Sequence, residues 1–171
     1  MNKIKYMTLG IFLVLIQILI SGYVNIWPML YIAVFPLILI ILPQSINSYL
    51  YILLAFLLGL VTDITSDGIM GLNAAATTAL AFFRKPVINM MINKSSLDNL
   101  SGITDYTIGT ATFFALTAVL YSIFFIFYMT LDSLGFYSMG YTILRFAINV
   151  LTNTALVTIF SKALTKQLFI K

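Results

Sequence analysis

The sequence predicts an all-α integral membrane protein, a six-helix bundle forming one domain over residues 1–171. Three observations carry that expectation. Hydrophobic residues make up 61% of the chain and charged residues only 8%, against roughly one quarter charged in a soluble domain. Mean hydropathy is +1.07. Apolar stretches recur along the whole length, and the polar stretches between them are too short to build a separate soluble core.

Apolar runs and breakers place the spans near residues 4–22, 28–43, 48–66, 70–92, 106–130 and 139–165. The first begins with Lys3 and Lys5 and has no small-x-small cleavage site before the next apolar run, so it reads as a retained helix rather than a signal peptide. Trp27 and Pro28 open the second, short span as an interfacial aromatic and a first-turn proline. Pro36 is a kink position within it, and Pro43 to Ser48 forms the turn into the third span. Ser66, Asp67 and Gly68 have turn chemistry and lead into the fourth span. Arg84, Lys85 and Pro86 predict a break there, with the amphipathic VINMMINK beyond it lying along the membrane interface.

Basic residues orient the bundle. Lys3, Lys5, Arg84, Lys85, Lys94, Lys162, Lys166 and Lys171 fall on one side of a six-span chain, while the opposite loops carry no lysine or arginine. The positive-inside rule then puts both termini in the cytoplasm. Arg84, Lys85 and Lys94 form a predicted cytoplasmic basic surface facing lipid headgroups or a partner. The net charge of +4 follows from this topology and gives no reason to invoke nucleic acid.

The chain has no histidine and no cysteine. That removes imidazole general bases, thiolate nucleophiles, disulfides and the usual zinc ligands. No phosphate-binding glycine loop is present, and the aspartates lack the spacing of a calcium loop or a glycosidase pair. The reading is therefore of a protein that is not an enzyme, with no catalytic residues, no metal and no cofactor.

The informative polar residues lie at the outer ends of the spans. Asp63 precedes the outer loop by about one turn, where a charge needs a partner or water. Asn73 opens the next span, and Arg145, Asn149 and Asn153 share one helical face. Together these five form a candidate pocket or partner-binding cluster, with Arg145 holding Asp63 through two parallel hydrogen bonds. The alternative is that Asp63 and Arg145 each reach the outer headgroups separately. Gly59, Gly71, Ala74, Ala75 and Ala76 read as a helix-packing surface, since small side chains let helices approach closely in lipid. Gln17 either lines a cavity or bonds a neighbouring backbone.

Residues 53–86, LLAFLLGLVTDITSDGIMGLNAAATTALAFFRKP, resemble the central signature of the MreD family of bacterial rod shape-determining membrane proteins. The order of Asp63, Gly71, Asn73 and Arg84 is its more specific part. The resemblance implies a fold similar to the substrate-binding subunits of energy-coupling-factor transporters and a place in the bacterial cytoplasmic (inner) membrane. It implies a noncatalytic role in the elongation complex, binding MreC, with RodA, a penicillin-binding transpeptidase, MreB and RodZ in the wider assembly. By analogy, the Asp63 cluster would line an outward-facing pocket for a ligand or for a segment of MreC. The competing expectation is a vitamin-binding subunit of such a transporter.

Overall fold

A computed structural model describes residues 3–23, 29–67, 69–92, 102–133 and 138–169. Trp27, Pro28, Gly68, Lys94 and Lys171, all invoked above, lie outside the described residues. The elements are α1 (Lys3–Tyr23), α2 (Leu37–Ile41), α3 (Ser48–Thr62) running into a π-helical turn (Asp63–Asp67), α4 (Leu72–Met91), α5 (Asp105–Ile108), α6 (Thr110–Ser133) and α7 (Met139–Phe169). Four stretches are helical, long and apolar enough to cross a membrane: Ile4–Ser21, Ser48–Thr65, Thr110–Asp132 and Met139–Leu164. They mark an α-helical membrane protein. Their outward faces carry exposed Ile11, Leu15, Leu19, Leu53, Leu57 and Leu151, a surface suited to hydrocarbon rather than water.

Local sequence sets the ends of these helices. Asn47 caps α3 by accepting the Tyr49 N–H at 3.1 Å, which satisfies one of the amides every helix start leaves open. Thr104 and Thr107 form a reciprocal capping box on α5. Gly109, at φ +83°, then separates α5 from α6, a backbone state that costs other residues strain. In α6 the buried residues Phe113, Leu116, Leu120, Phe124 and Tyr128 recur every three or four positions and form one stripe, with the buried Tyr121 beside it.

α4 is the central helix, packed against both α3 and α6. It continues through Pro86 to Met91, so the predicted break at Arg84-Lys85-Pro86 does not occur. A proline deletes one backbone bond, but the flanking Arg84 and Ile88 are both buried, and their packing holds the helix through the gap. Being enclosed, α4 tolerates polar side chains such as Asn73, Thr77 and Arg84.

Gly59 sets the spacing of α3 and α4. A Cβ added there would lie 2.5 Å from the Ala74 Cα and 2.4 Å from the Thr77 Oγ1. Thr77 in turn donates to the Ala55 carbonyl at 2.9 Å, bonding the two helices across the contact. Gly71 has a different role: it stands at φ +103° with open space where a Cβ would be. Its contribution is the left-handed conformation that starts α4, not the close packing expected of it.

The second span is where sequence and structure part most clearly. Residues 29–36 are not helical, and only the five residues of α2 follow before Pro43. Pro36 disfavours helix at the residue before it and lacks an N–H of its own. Residues 33–41 are nonetheless the longest unbroken buried run among the described residues, with Ala33, Phe35, Leu37, Leu39, Ile40 and Ile41 fully buried. Non-helical backbone survives at membrane depth only inside protein, where other groups satisfy its amides.

Candidate functional site

Those other groups are side-chain amides. Asn149 accepts the Tyr31 N–H at 2.7 Å and donates to the Met29 carbonyl at 2.6 Å. One turn later, Asn153 accepts the Ala33 N–H at 2.7 Å and donates to the Tyr31 carbonyl at 2.8 Å. Each asparagine therefore pairs with the segment as a neighbouring strand would. The register works because four helical residues rise about 6 Å and two extended residues about 6.6 Å. The opposite edge belongs to α1, where Gln17 accepts the Val34 N–H at 2.8 Å and donates to the Ile32 carbonyl at 2.9 Å. Bonds from odd residues to one side and even residues to the other are the signature of extended chain. Tyr121 of α6 completes the set by donating to the Ala33 carbonyl at 2.7 Å.

Asp63 is fully buried and sits at the start of α4. Its Oδ1 accepts the Asn73 N–H at 2.8 Å, while Oδ2 accepts those of Gly71 at 2.9 Å and Ala74 at 3.1 Å. A carboxylate is well placed there, because a helix start presents unpaired amides and the positive end of the helix dipole. The π-helical turn at Asp63–Asp67 begins at this residue. Asn73 connects this cap to the extended segment, since its Oδ1 accepts the Tyr31 hydroxyl at 3.0 Å. The Tyr31 ring stacks on Tyr128 of α6, with centroids 4.7 Å apart.

Four of the five cluster residues, Asp63, Asn73, Asn149 and Asn153, thus meet through Tyr31 in one continuous network. Arg145 does not join Asp63. Its Nη1 lies 2.5 Å from Oδ2 of Asp132, at the end of α6. The correction has a simple cause: the helix start already satisfies Asp63, whereas Asp132 and Arg145 face each other across the short α6–α7 connection. The Asn149 and Asn153 amides are likewise consumed by backbone, so they brace a chain segment rather than line an open pocket. The chemistry of this site is that of a clamp, amide to peptide and carboxylate to helix N-terminus.

At the other end of α4, the predicted basic surface of Arg84, Lys85 and Lys94 also needs correction. Lys85 is exposed, but Arg84 is only 3% exposed. Its Nη2 donates to the carbonyls of Ile40, at 3.1 Å, and Leu42. These are the open carbonyls at the C-terminus of α2, the natural seat for a cation. The guanidinium also lies 5.0 Å from the ring centroid of Tyr51, whose hydroxyl donates to the Leu39 carbonyl at 2.5 Å. Arg84 and Tyr51 thereby terminate α2 as Gln17, Asn149 and Asn153 hold the segment before it.

Comparison with family models, curated proteins and solved structures finds no match for this chain.

Tyr31, Tyr51 and Tyr121 were not singled out from the sequence. In a chain with 10 tyrosines and 14 phenylalanines, a hydroxyl that bonds buried backbone looks like any other apolar ring. Gln17 carried a clearer signal, and of its two expected roles the structure gives the backbone bond.

Proposed function

We propose that the chain is a noncatalytic component of the bacterial elongation complex, of the MreD type, that binds MreC in the cytoplasmic membrane. Both termini then lie in the cytoplasm, as the distribution of lysines favours. One observation carries the reading: the part of the resembling stretch from Gly59 to Ala74 forms a single interlocked unit. Gly59 packs on Ala74, while Asp63 binds the amides of Gly71, Asn73 and Ala74. A signature spent on fixing two helices against each other suits a protein that presents a rigid surface to partners.

MreC docks through its single transmembrane helix against an apolar outer face. The exposed stripe Ile4, Met7, Ile11, Leu15 and Leu19 along α1 has the three- and four-residue spacing of such a face. In lipid, packing and a few interhelical hydrogen bonds drive the association. RodA, the transpeptidase, MreB and RodZ then join through MreC and the wider assembly. The rival vitamin-transport reading draws less support, because the outer amides it would use to hold a ligand are occupied by residues 29–33.

The test is affinity co-purification from native membranes in mild detergent with mass spectrometry of what is retained. Recovery of MreC with cell-wall synthases is expected. Recovery of a paired energising ATPase and a bound vitamin would replace the scaffold with a transporter.

A further inference from the structure

A cavity of about 720 Å³ opens between the start of α3 and the second half of α4. Tyr49, Ile52 and Phe82 contribute apolar surface, and Gln44, Arg84 and Lys85 contribute polar groups. The lining contains two cations and no carboxylate. Arg84 is buried, yet among the described residues it has no acidic partner. Carbonyl oxygens and the Tyr51 ring meet part of its charge, while its buried Nε and the buried Oε1 of Gln44 have no hydrogen-bond partner among the described residues. A buried cation without a counter-anion is costly in a membrane protein. The groove beside it is the place from which an anion can offset that cost.

We propose that this groove binds the headgroup of an anionic phospholipid. The phosphate lies near Lys85 and within the field of Arg84, and the acyl chains run over Phe82 and Ile52. A free phosphate accounts for the charge but leaves the apolar wall without an occupant. The exposed Tyr49 and Phe82 leave the groove open laterally, as entry from a bilayer requires. Charge distribution puts this end of the bundle at the cytoplasmic leaflet, where anionic lipids and basic pockets between helices meet.

The experiment places the full chain in nanodiscs of equal phosphatidylglycerol and phosphatidylcholine, then counts retained lipids by native mass spectrometry after detergent release. Lys85→Gln is the test variant, because Lys85 is exposed and the substitution leaves the Arg84 contacts in place. Lys162→Gln, at an exposed lysine of α7, is the control. Phosphatidylglycerol should be selectively retained, and Lys85→Gln should reduce that selectivity by about fivefold, the effect of one basic residue at an anionic surface. Lys162→Gln should not change it. Equal retention of the two lipids overturns the proposal, as does an equal loss in both variants, which would indicate diffuse attraction. Displacement of phosphatidylglycerol by millimolar inorganic phosphate would reassign the groove to a free anion and overturn the lipid assignment.

Discussion

Asn149 and Asn153 grip Tyr31 from one helix, the first accepting its N–H at 2.7 Å and the second donating to its carbonyl at 2.8 Å. Two positions one helical turn apart thus match a peptide unit and its neighbours in an extended chain. This correspondence allows residues 29–36 to run through the interior without secondary structure of their own.

Removing one amide should be costly. Asn153→Leu removes the acceptor of the buried Ala33 N–H and the donor to the Tyr31 carbonyl, and an unsatisfied buried group costs about 1–3 kcal/mol. Denaturant titration in detergent micelles should give a clear drop in midpoint, while Leu151→Ala on the exposed face of α7 should change little. An Asn153→Leu midpoint equal to the parent would show that these bonds do not hold the segment.

Three glycines should respond to alanine in three ways. Gly59→Ala meets the Ala74 backbone at 2.5 Å, so α3 and α4 must separate, at about 1–3 kcal/mol or more. Gly71→Ala meets nothing but must hold φ +103°, which costs about 1–2 kcal/mol. Gly140 lies in the first turn of α7 with open space around it, and alanine there should be neutral or stabilise by less than the roughly 1 kcal/mol of a helix interior. Thermal unfolding of the three variants should preserve that order. A neutral Gly59→Ala would contradict the α3–α4 contact.

Arg145 should couple to Asp132 and not to Asp63. The side chains of Arg145 and Asp132 are only 12% and 19% exposed, so the pair is largely shielded from solvent and a coupling of about 0.5–3 kcal/mol, as for residues in direct contact, is expected. Double-mutant cycles with Arg145→Ala, Asp132→Ala and Asp63→Ala distinguish the two pairings. Additive losses for Arg145 and Asp132, with non-additive losses for Arg145 and Asp63, would restore the pairing that the sequence favoured.

The Asp63 cap should show itself at individual amides. Asp63→Asn keeps one acceptor but loses the charge and one carboxylate oxygen, weakening bonds to Gly71, Asn73 and Ala74. Charge-assisted bonds contribute about 1.5–3 kcal/mol, so the first turn of α4 should fray before the remainder. Hydrogen exchange should accelerate at Asn73 and Ala74 while the Leu80 amide stays protected. Unchanged protection at Asn73 would remove Asp63 from this role.

The sequence by itself determined that the chain is helical and belongs in a membrane. It also marked the intramembrane polar residues that matter, because hydrocarbon tolerates a buried Asp63 or Asn153 only with a partner. Composition and periodicity are local properties; they pointed to six spans, whereas four stretches among the described residues are helical, long and apolar enough to cross a membrane. The tertiary structure alone decided what the polar residues are partnered with. The 29–36 stretch is as apolar as a helix, but its backbone bonds go to amides 118 and 120 residues away. Arg84 looked like a boundary charge until the end of α2, 42 and 44 residues distant, supplied the carbonyls that bury it. Hydropathy reports what a segment contributes to its surroundings, whereas hydrogen bonding depends on what those surroundings return, and that is fixed only when the helices meet.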